Sequence, residues 1–339
     1  MAAGTWRRFN ECVAVRFYRK VPVYWEQKER ENRMEYVIIG AGGTGGILGA
    51  YMTKAGKNVT LIARGEHGKA MEEKGLTIEK MWNQTKETIP VKVCTMEEYS
   101  GKADVILVCV KGYSLEETIP FIKRAAKKET VVIPILNIYG TGGQLQEKLP
   151  DILVTDGCIY VSANIKEPGC LLWHGEILRV VFGVREEREY CPVLNTIQQD
   201  FQESGICGIL SDNIKRDALK KFSYVSPIGA AGLYFHAQAG DFQKEGAPRE
   251  MFKAMIREIA ALADAMDIHF EEDLVETNLK ILEDLAPEAT TSMQRDILAG
   301  KQSEIDGLIY QVVRLGKTYH VPVPEYEKVA QKFEKQVRK

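Results

Sequence analysis

Two periodicities divide the chain. Up to about residue 210, short β-branched or apolar runs recur between amphipathic stretches; beyond 211 the apolar residues repeat at helical spacing almost without a break. The short runs predict strands at 36–39, 59–62, 104–110 and 130–136, with helices at 68–74 and 115–128 between them. The runs 105–110 and 131–136 are apolar without alternation, as expected of parallel strands buried on both faces. Strands that alternate with helices indicate an α/β fold with a doubly wound parallel sheet. An antiparallel pair is expected at 76–80 and 87–93, further strands at 152–163, 170–178, 180–184 and 208–210, and a helix at 191–205. From Asp212, a residue suited to N-capping, helices are predicted at 212–234, 248–267, 273–285, 302–319 and 324–338. In 248–267, Phe252, Met255, Ile256, Ile259, Ala263 and Met266 form a stripe that a structural core face explains. The expected domains are therefore a sheet domain over 34–211 and an all-helical domain over 212–339.

Composition narrows the partners. A chain of 339 residues can form two sizeable cores, and a net charge of −2 gives no reason to expect nucleic acid or a membrane surface. No apolar run approaches the roughly 18 residues of a membrane span. Seven cysteines without C-x-x-C spacing point to a reducing, cytoplasmic setting and away from zinc or a disulfide framework. Five histidines, at 67, 174, 236, 269 and 320, are too scattered to suggest a metal site. Residues 1–33 are basic (Arg7, Arg8, Arg16, Arg19, Lys20), lack an uninterrupted apolar segment, and read as an extension outside the fold, either a flexible arm or an over-long start.

The strand at 36–39 runs into Gly40-Ala41-Gly42-Gly43-Thr44-Gly45, then a small-residue helical pattern, then the strand at 59–62. That context makes G-x-G-x-x-G a dinucleotide turn of Rossmann type: Gly40 for the tight turn, Gly42 for backbone approach to a pyrophosphate, Gly45 for helix–sheet packing. The helix N-terminus adds free N–H groups and partial positive charge. Where an NAD site usually carries an acidic residue after the second strand, this chain has Ile62-Ala63-Arg64-Gly65. A guanidinium suits a 2′-phosphate, so the expected cofactor is NADP(H). Arg64, Lys111 and Asn137 all follow strand C-termini and are expected to face one crevice.

Two charges fall on apolar helical stripes. Lys221 shares a face with Ile214, Ala218, Phe222 and Val225, and Glu304 with Leu308, Val312 and Leu315. A buried charge needs a partner or a chemical task. Together they suit carbonyl reduction: an ammonium can stabilise the growing oxyanion and donate the proton, while a carboxylate orients it.

These residues resemble the ketopantoate reductase (2-dehydropantoate 2-reductase) family, from Met34 to about Gln336. The resemblance is carried by the glycine turn, Arg64, Val110-Lys111, Asn137, Glu167-Pro168-Gly169 with His174-Gly175, and Lys221-Phe222. Its most specific part is Thr291-Ser292-Met293-Gln294-Arg295-Asp296, Gly300-Lys301, Glu304-Ile305-Asp306-Gly307 and Val321-Pro322-Val323-Pro324. The resemblance implies a Rossmann domain, a helical domain, and NADPH-dependent reduction of 2-dehydropantoate to pantoate on the way to pantothenate and coenzyme A. It implies Lys221 as proton donor and Glu304 as holder of cofactor ribose and substrate hydroxyl. Asn137 would lie between nicotinamide and substrate and Ser292 on the substrate carboxylate, with Arg64 and Lys111 on the NADPH side and the glycine turn, residues Gly40 to Gly45, on the pyrophosphate. The chain departs from the family where amide side chains usually follow the lysine: Val225 and Gly229 stand there, and Ile138 replaces the glycine after Asn137. Another 2-oxo acid is accordingly an alternative substrate, and a non-catalytic NADP(H) sensor an alternative role. The expected partner is a small 2-oxo acid, with a homodimer left open.

Overall fold

The computed structural model describes residues 34–337, so the reading of 1–33 lies outside the described residues. Its first part is a six-stranded parallel sheet in the order β5-β2-β1-β6-β7-β8. The strands are β1 (Glu35–Ile39), β2 (Asn58–Ile62), β5 (Lys92–Cys94), β6 (Ala103–Val108), β7 (Ala126–Pro134) and β8 (Leu153–Val154). Helices α1 (Gly43–Lys54), α2 (Gly65–Lys74), α3 (Leu115–Ala125) and α4 (Thr141–Lys148) connect them. Alternate residues feed two cores: Tyr36, Ile38, Val105 and Leu107 pack on one face, Val37, Ile39, Ile106 and Val108 on the other. Period-two burial on both sides is why these strands read as continuous apolar runs. Each fully buried side chain of this kind contributes roughly 1.5–3 kcal/mol.

Two smaller sheets complete this half, the first packed on α1 and the second beside β7. β10 (Ala163–Glu167), β11 (Cys170–Trp173), β3 (Leu76–Lys80) and β4 (Thr85–Ile89) form a four-stranded sheet. β13 (Cys207–Leu210), β12 (Arg179–Gly183) and β9 (Asp156–Tyr160) form a three-stranded one, with α5 (Val193–Glu203) packed behind β13. The expected segment 87–93 is thus split: Thr85–Ile89 pairs with β3, whereas Lys92–Cys94 joins the main sheet beside β2. The expected 170–178 strand stops at Trp173.

The second part is helical: α6 (Ile214–Phe235), α7 (Ala239–Phe242), α8 (Ala247–Ala265), α9 (Leu274–Glu283), α10 (Ser292–Leu298), α11 (Gln311–Tyr319) and α12 (Pro324–Val337). The stripe on α8 is buried as expected at Phe252, Met255, Ile256, Ile259 and Ala263. α6 is capped by Asn213, whose Oδ1 accepts from Arg216 N at 3.1 Å; the expected cap, Asp212, instead pairs with Arg216. Pro227 inside α6 has no N–H for the Ser223 carbonyl, and buried Asn278 donates to that carbonyl at 3.0 Å instead.

Two helix boundaries differ from expectation for physical reasons. α3 ends at Ala125, because Ala126 pairs with Ala103 and the Lys127 N–H is taken by Thr130 Oγ1 at 2.6 Å. The helix expected from 302 begins after Glu304 with a π turn over Asp306–Tyr310. Ser226 Oγ donates to the Leu308 carbonyl there at 2.6 Å, tying the widened turn to α6.

Candidate active site

The strand order reverses between β1 and β6, and the loops after these two strands flank the crevice where an open α/β sheet binds ligands. At the end of β1, Gly40 has φ +94, and a Cβ there would stand 2.8 Å from the Cys109 carbonyl. A Cβ on Gly45 would stand 2.1 Å from the Gly40 carbonyl and 3.0 Å from Ile38, so α1 lies tight against the sheet. Around Gly42 there is open space within 4 Å, and α1 has no acidic residue in its first turn and no side-chain cap. Free N–H groups, an open approach and a helix dipole with nothing opposing it fit an anionic pyrophosphate.

Arg64 N-caps α2 just past β2 with its side chain 86% exposed; its carboxylate contact, Glu117, is 3.8 Å away.

Lys111 follows β6 and points across the seam. Its Nζ donates to Glu304 Oε2 at 3.1 Å and to Asp296 Oδ2 at 3.2 Å, while Gly112 N donates to Glu304 Oε1 at 3.1 Å. Burial works against the ammonium, but the Glu304 and Asp296 carboxylates outweigh it and raise the Lys111 pKa. Glu304 is buried as the stripe predicts, yet it precedes the helix, and its hydrogen bonds go to Lys111 and Gly112 rather than to Lys221.

Lys221 stands deeper in the cleft. Its Nζ donates to Asn137 Oδ1 at 2.7 Å and lies 5.7 Å from the centre of the Tyr160 ring. Burial lowers its pKa; charge on Cys158 and Glu304 would oppose this and does not overcome it. The next residue, Lys220, turns outward to Glu272, as the helical phase requires. Ser292 opens α10, which Thr291 and Gln294 cap reciprocally, and neighbouring Met293 packs toward Gly229, its Cε 3.0 Å from where a Cβ would stand.

Ile138 occupies the joint between the two halves. Its Cδ1 lies 2.2 Å from the position a Cβ would take on Gly112, and likewise on Gly307 in the π turn. Only residues without side chains leave room for it at both points. Tyr139, one step on, packs on Phe222 of α6 with ring centres 6.1 Å apart.

The structure therefore brings together Lys221 with Asn137, and Lys111 with Glu304. Sequence reasoning missed Asp296 as a partner of Lys111, Tyr160 beneath Lys221, and Ile138 as a wedge. Asp296 had a signal in its place in the 291–296 motif, and Ile138 in standing where the family usually has glycine; Tyr160 had none. Among the described residues no His/Cys/Asp/Glu group could hold a metal ion, and no helix is long and apolar enough to cross a membrane.

Comparison with known proteins bears on the family and the fold. Residues 36–187 match the family model described as ketopantoate reductase PanE/ApbA, and residues 213–336 match that of its C-terminal region. A 2-dehydropantoate 2-reductase of Pyrococcus horikoshii is 25% identical over 301 residues, covering 86% of this chain and 93% of that one. YkpB of Bacillus subtilis, an uncharacterized oxidoreductase, is 24% identical over 300 residues, covering 87% and 96%. Among solved structures, a PanE/ApbA family ketopantoate reductase from Ralstonia eutropha superposes with a TM-score of 0.79 at 24% identity, over 89% of this chain and 97% of that one. A D-mandelate dehydrogenase with NADH and anilino(oxo)acetate gives 0.77 at 21% identity, over 88% and 96%. At such identities the superpositions speak for the fold.

Proposed function

This chain belongs to the ketopantoate reductase family, a family of dinucleotide-binding oxidoreductases acting on a ketone or CH–OH group, and within it we propose NADPH-dependent reduction of 2-dehydropantoate to pantoate with Lys221 as proton donor. The observation that carries the reading is the half-buried Lys221 ammonium, lowered in pKa by desolvation and held by the neutral Asn137 amide beside the Tyr160 ring. NADPH supplies the hydride. The chain's task is to stabilise charge on the carbonyl oxygen and to protonate it, and an ammonium made more acidic by burial gives up its proton more readily. Asn137 Oδ1 orients Nζ, leaving its other two N–H groups for a substrate oxygen. Ser292 is assigned to the substrate carboxylate. Glu304, held by Lys111 and Gly112, is assigned to ribose and substrate hydroxyls; residues Gly40 to Gly45 take the pyrophosphate and Arg64 the 2′-phosphate.

A second reading, the same chemistry on another 2-oxo acid, is favoured by Val225 and Gly229 on the α6 face beyond Lys221, which offer no side-chain donor to a substrate hydroxyl. The deciding experiment follows NADPH absorbance with 2-dehydropantoate and a panel of 2-oxo acids. Turnover of 2-dehydropantoate with the highest kcat/KM supports the first reading. Preference for another 2-oxo acid supports the second. NADPH binding without oxidation by any of them would leave a cofactor-binding sensor.

A further inference from the structure

His67, on α2 three residues after Arg64, connects the glycine turn to the four-stranded sheet. Gly169 N donates to His67 Nδ1 at 3.0 Å, and His67 Nε2 lies 3.0 Å from the Ala41 carbonyl. A backbone N–H can only donate, so Nδ1 is the acceptor and Nε2 carries the hydrogen that goes to Ala41 O. The ring is thereby fixed as one neutral tautomer at both ends.

This fixes the direction of a donor. The Ala41–Gly42 peptide is planar and trans, so its N–H points opposite to its C=O. With the Ala41 carbonyl turned to His67, the Gly42 N–H is turned the other way, and among the described residues no backbone carbonyl accepts it. From the other end the brace is rigid: Gly169 O accepts from Thr77 N at 2.9 Å, within the sheet formed by β11 and β3. The turn is gripped from a second side at Gly43, where a Cβ would stand 2.3 Å from the Ala163 carbonyl of β10.

We infer that His67 is a positioning residue for the dinucleotide, holding the Ala41–Gly42 peptide so that the Gly42 N–H faces the cofactor's pyrophosphate; this rests on the NADPH reading above. Titration calorimetry with NADPH and with adenosine 2′-monophosphate, which has no pyrophosphate, tests it on the full chain. His67→Asn keeps an acceptor for Gly169 but is too short to reach Ala41; His67→Gln can bring an amide N–H to Ala41. H67N is expected to weaken NADPH about tenfold or more, the loss of one aimed donor to a charged group. The same variant leaves adenosine 2′-monophosphate within about twofold, and H67Q recovers most of the NADPH affinity. At saturating NADPH the kcat of both variants stays near wild type while the KM for NADPH of H67N rises. NADPH binding by H67N equal to wild type, equal loss of both ligands, or no recovery in H67Q would overturn the inference. A wild type that binds neither ligand would overturn the cofactor reading itself, and this inference with it.

Discussion

The cleft contains two lysines in opposite circumstances. Lys221, at its inner end, sits against a tyrosine ring and one neutral amide, and burial lowers its pKa. Lys111, at the outer end, is held between two carboxylates, and its pKa is raised. The same side chain is thus made a better proton donor in one place and a fixed positive charge in the other. Partners decide this more than depth: Glu304 lies near both, but its oxygens are engaged by Lys111 and Gly112.

The largest expected effect separates them by activity. Lys221→Ala should lower kcat by about two to four decades with NADPH binding retained, as expected on losing a general acid. Steady-state kinetics and NADPH fluorescence measure the two together. Near-normal turnover would remove Lys221 from the chemistry.

The next expectation concerns stability, where the same substitution should act with opposite consequence at the two sites. Lys111→Met leaves buried Glu304 and half-buried Asp296 without their cation. The cost is about 2 kcal/mol, below the 3–5 of a fully buried pair because Lys111 is 37% exposed. Lys221→Met removes an ammonium the fold disfavours, so the expected change is near zero or a small gain. The pH dependence has opposite signs as well. The raised pKa of Lys111 stabilises the fold fully below the ordinary lysine value of about 10.4, and this is lost as pH climbs above it toward the raised value. Lys221 destabilises the fold below its lowered pKa, and that cost fades as pH rises toward the ordinary value. Urea unfolding of the two Met variants at neutral pH checks the signs; equal losses would erase the distinction.

How much of this was legible depends on what made it. The glycine turn, its helix and the strands feeding two cores are consequences of local backbone geometry and period-two burial, and the sequence expresses both directly. Lys221 was legible as an inward-facing charge because α6 keeps its phase from Ile214 to Val225. Its partner was not, since Asn137 is 84 residues away, and neither was the Lys111–Glu304 pair, which spans 193. Glu304 was read as buried for a reason that only partly holds. A 3.6-residue period extrapolated through 302–319 puts it in the first helical turn, but the chain there is a π turn over Asp306–Tyr310, whose extra residue per turn no apolar periodicity reveals. The helix expected over 115–128 takes in Ala126, Lys127 and Lys128, yet these residues form the outer end of β7.

The smallest expected effect tests what joins the two lysines. Asn137 accepts from Lys221, Gly112 N donates to Glu304, and Ile138, next to Asn137, fills the space over both Gly112 and Gly307. Gly307→Ala would place a methyl carbon 2.2 Å from Ile138 Cδ1, forcing that side chain aside and Asn137 with it. Overpacking at a joint that can partly yield should cost about 1 kcal/mol, at the low end for core insertions. kcat should fall modestly while the KM for NADPH is little changed, because the inner lysine loses its orientation and the glycine turn does not move. Ile138→Ala vacates the same space, so added to Gly307→Ala it should restore stability and turnover relative to Gly307→Ala alone. Coupling of that sign in a double-mutant cycle is the mark of a shared contact. Strict additivity would mean that the inner and outer ends of the cleft are held independently, and that the wedge at 138 only fills space.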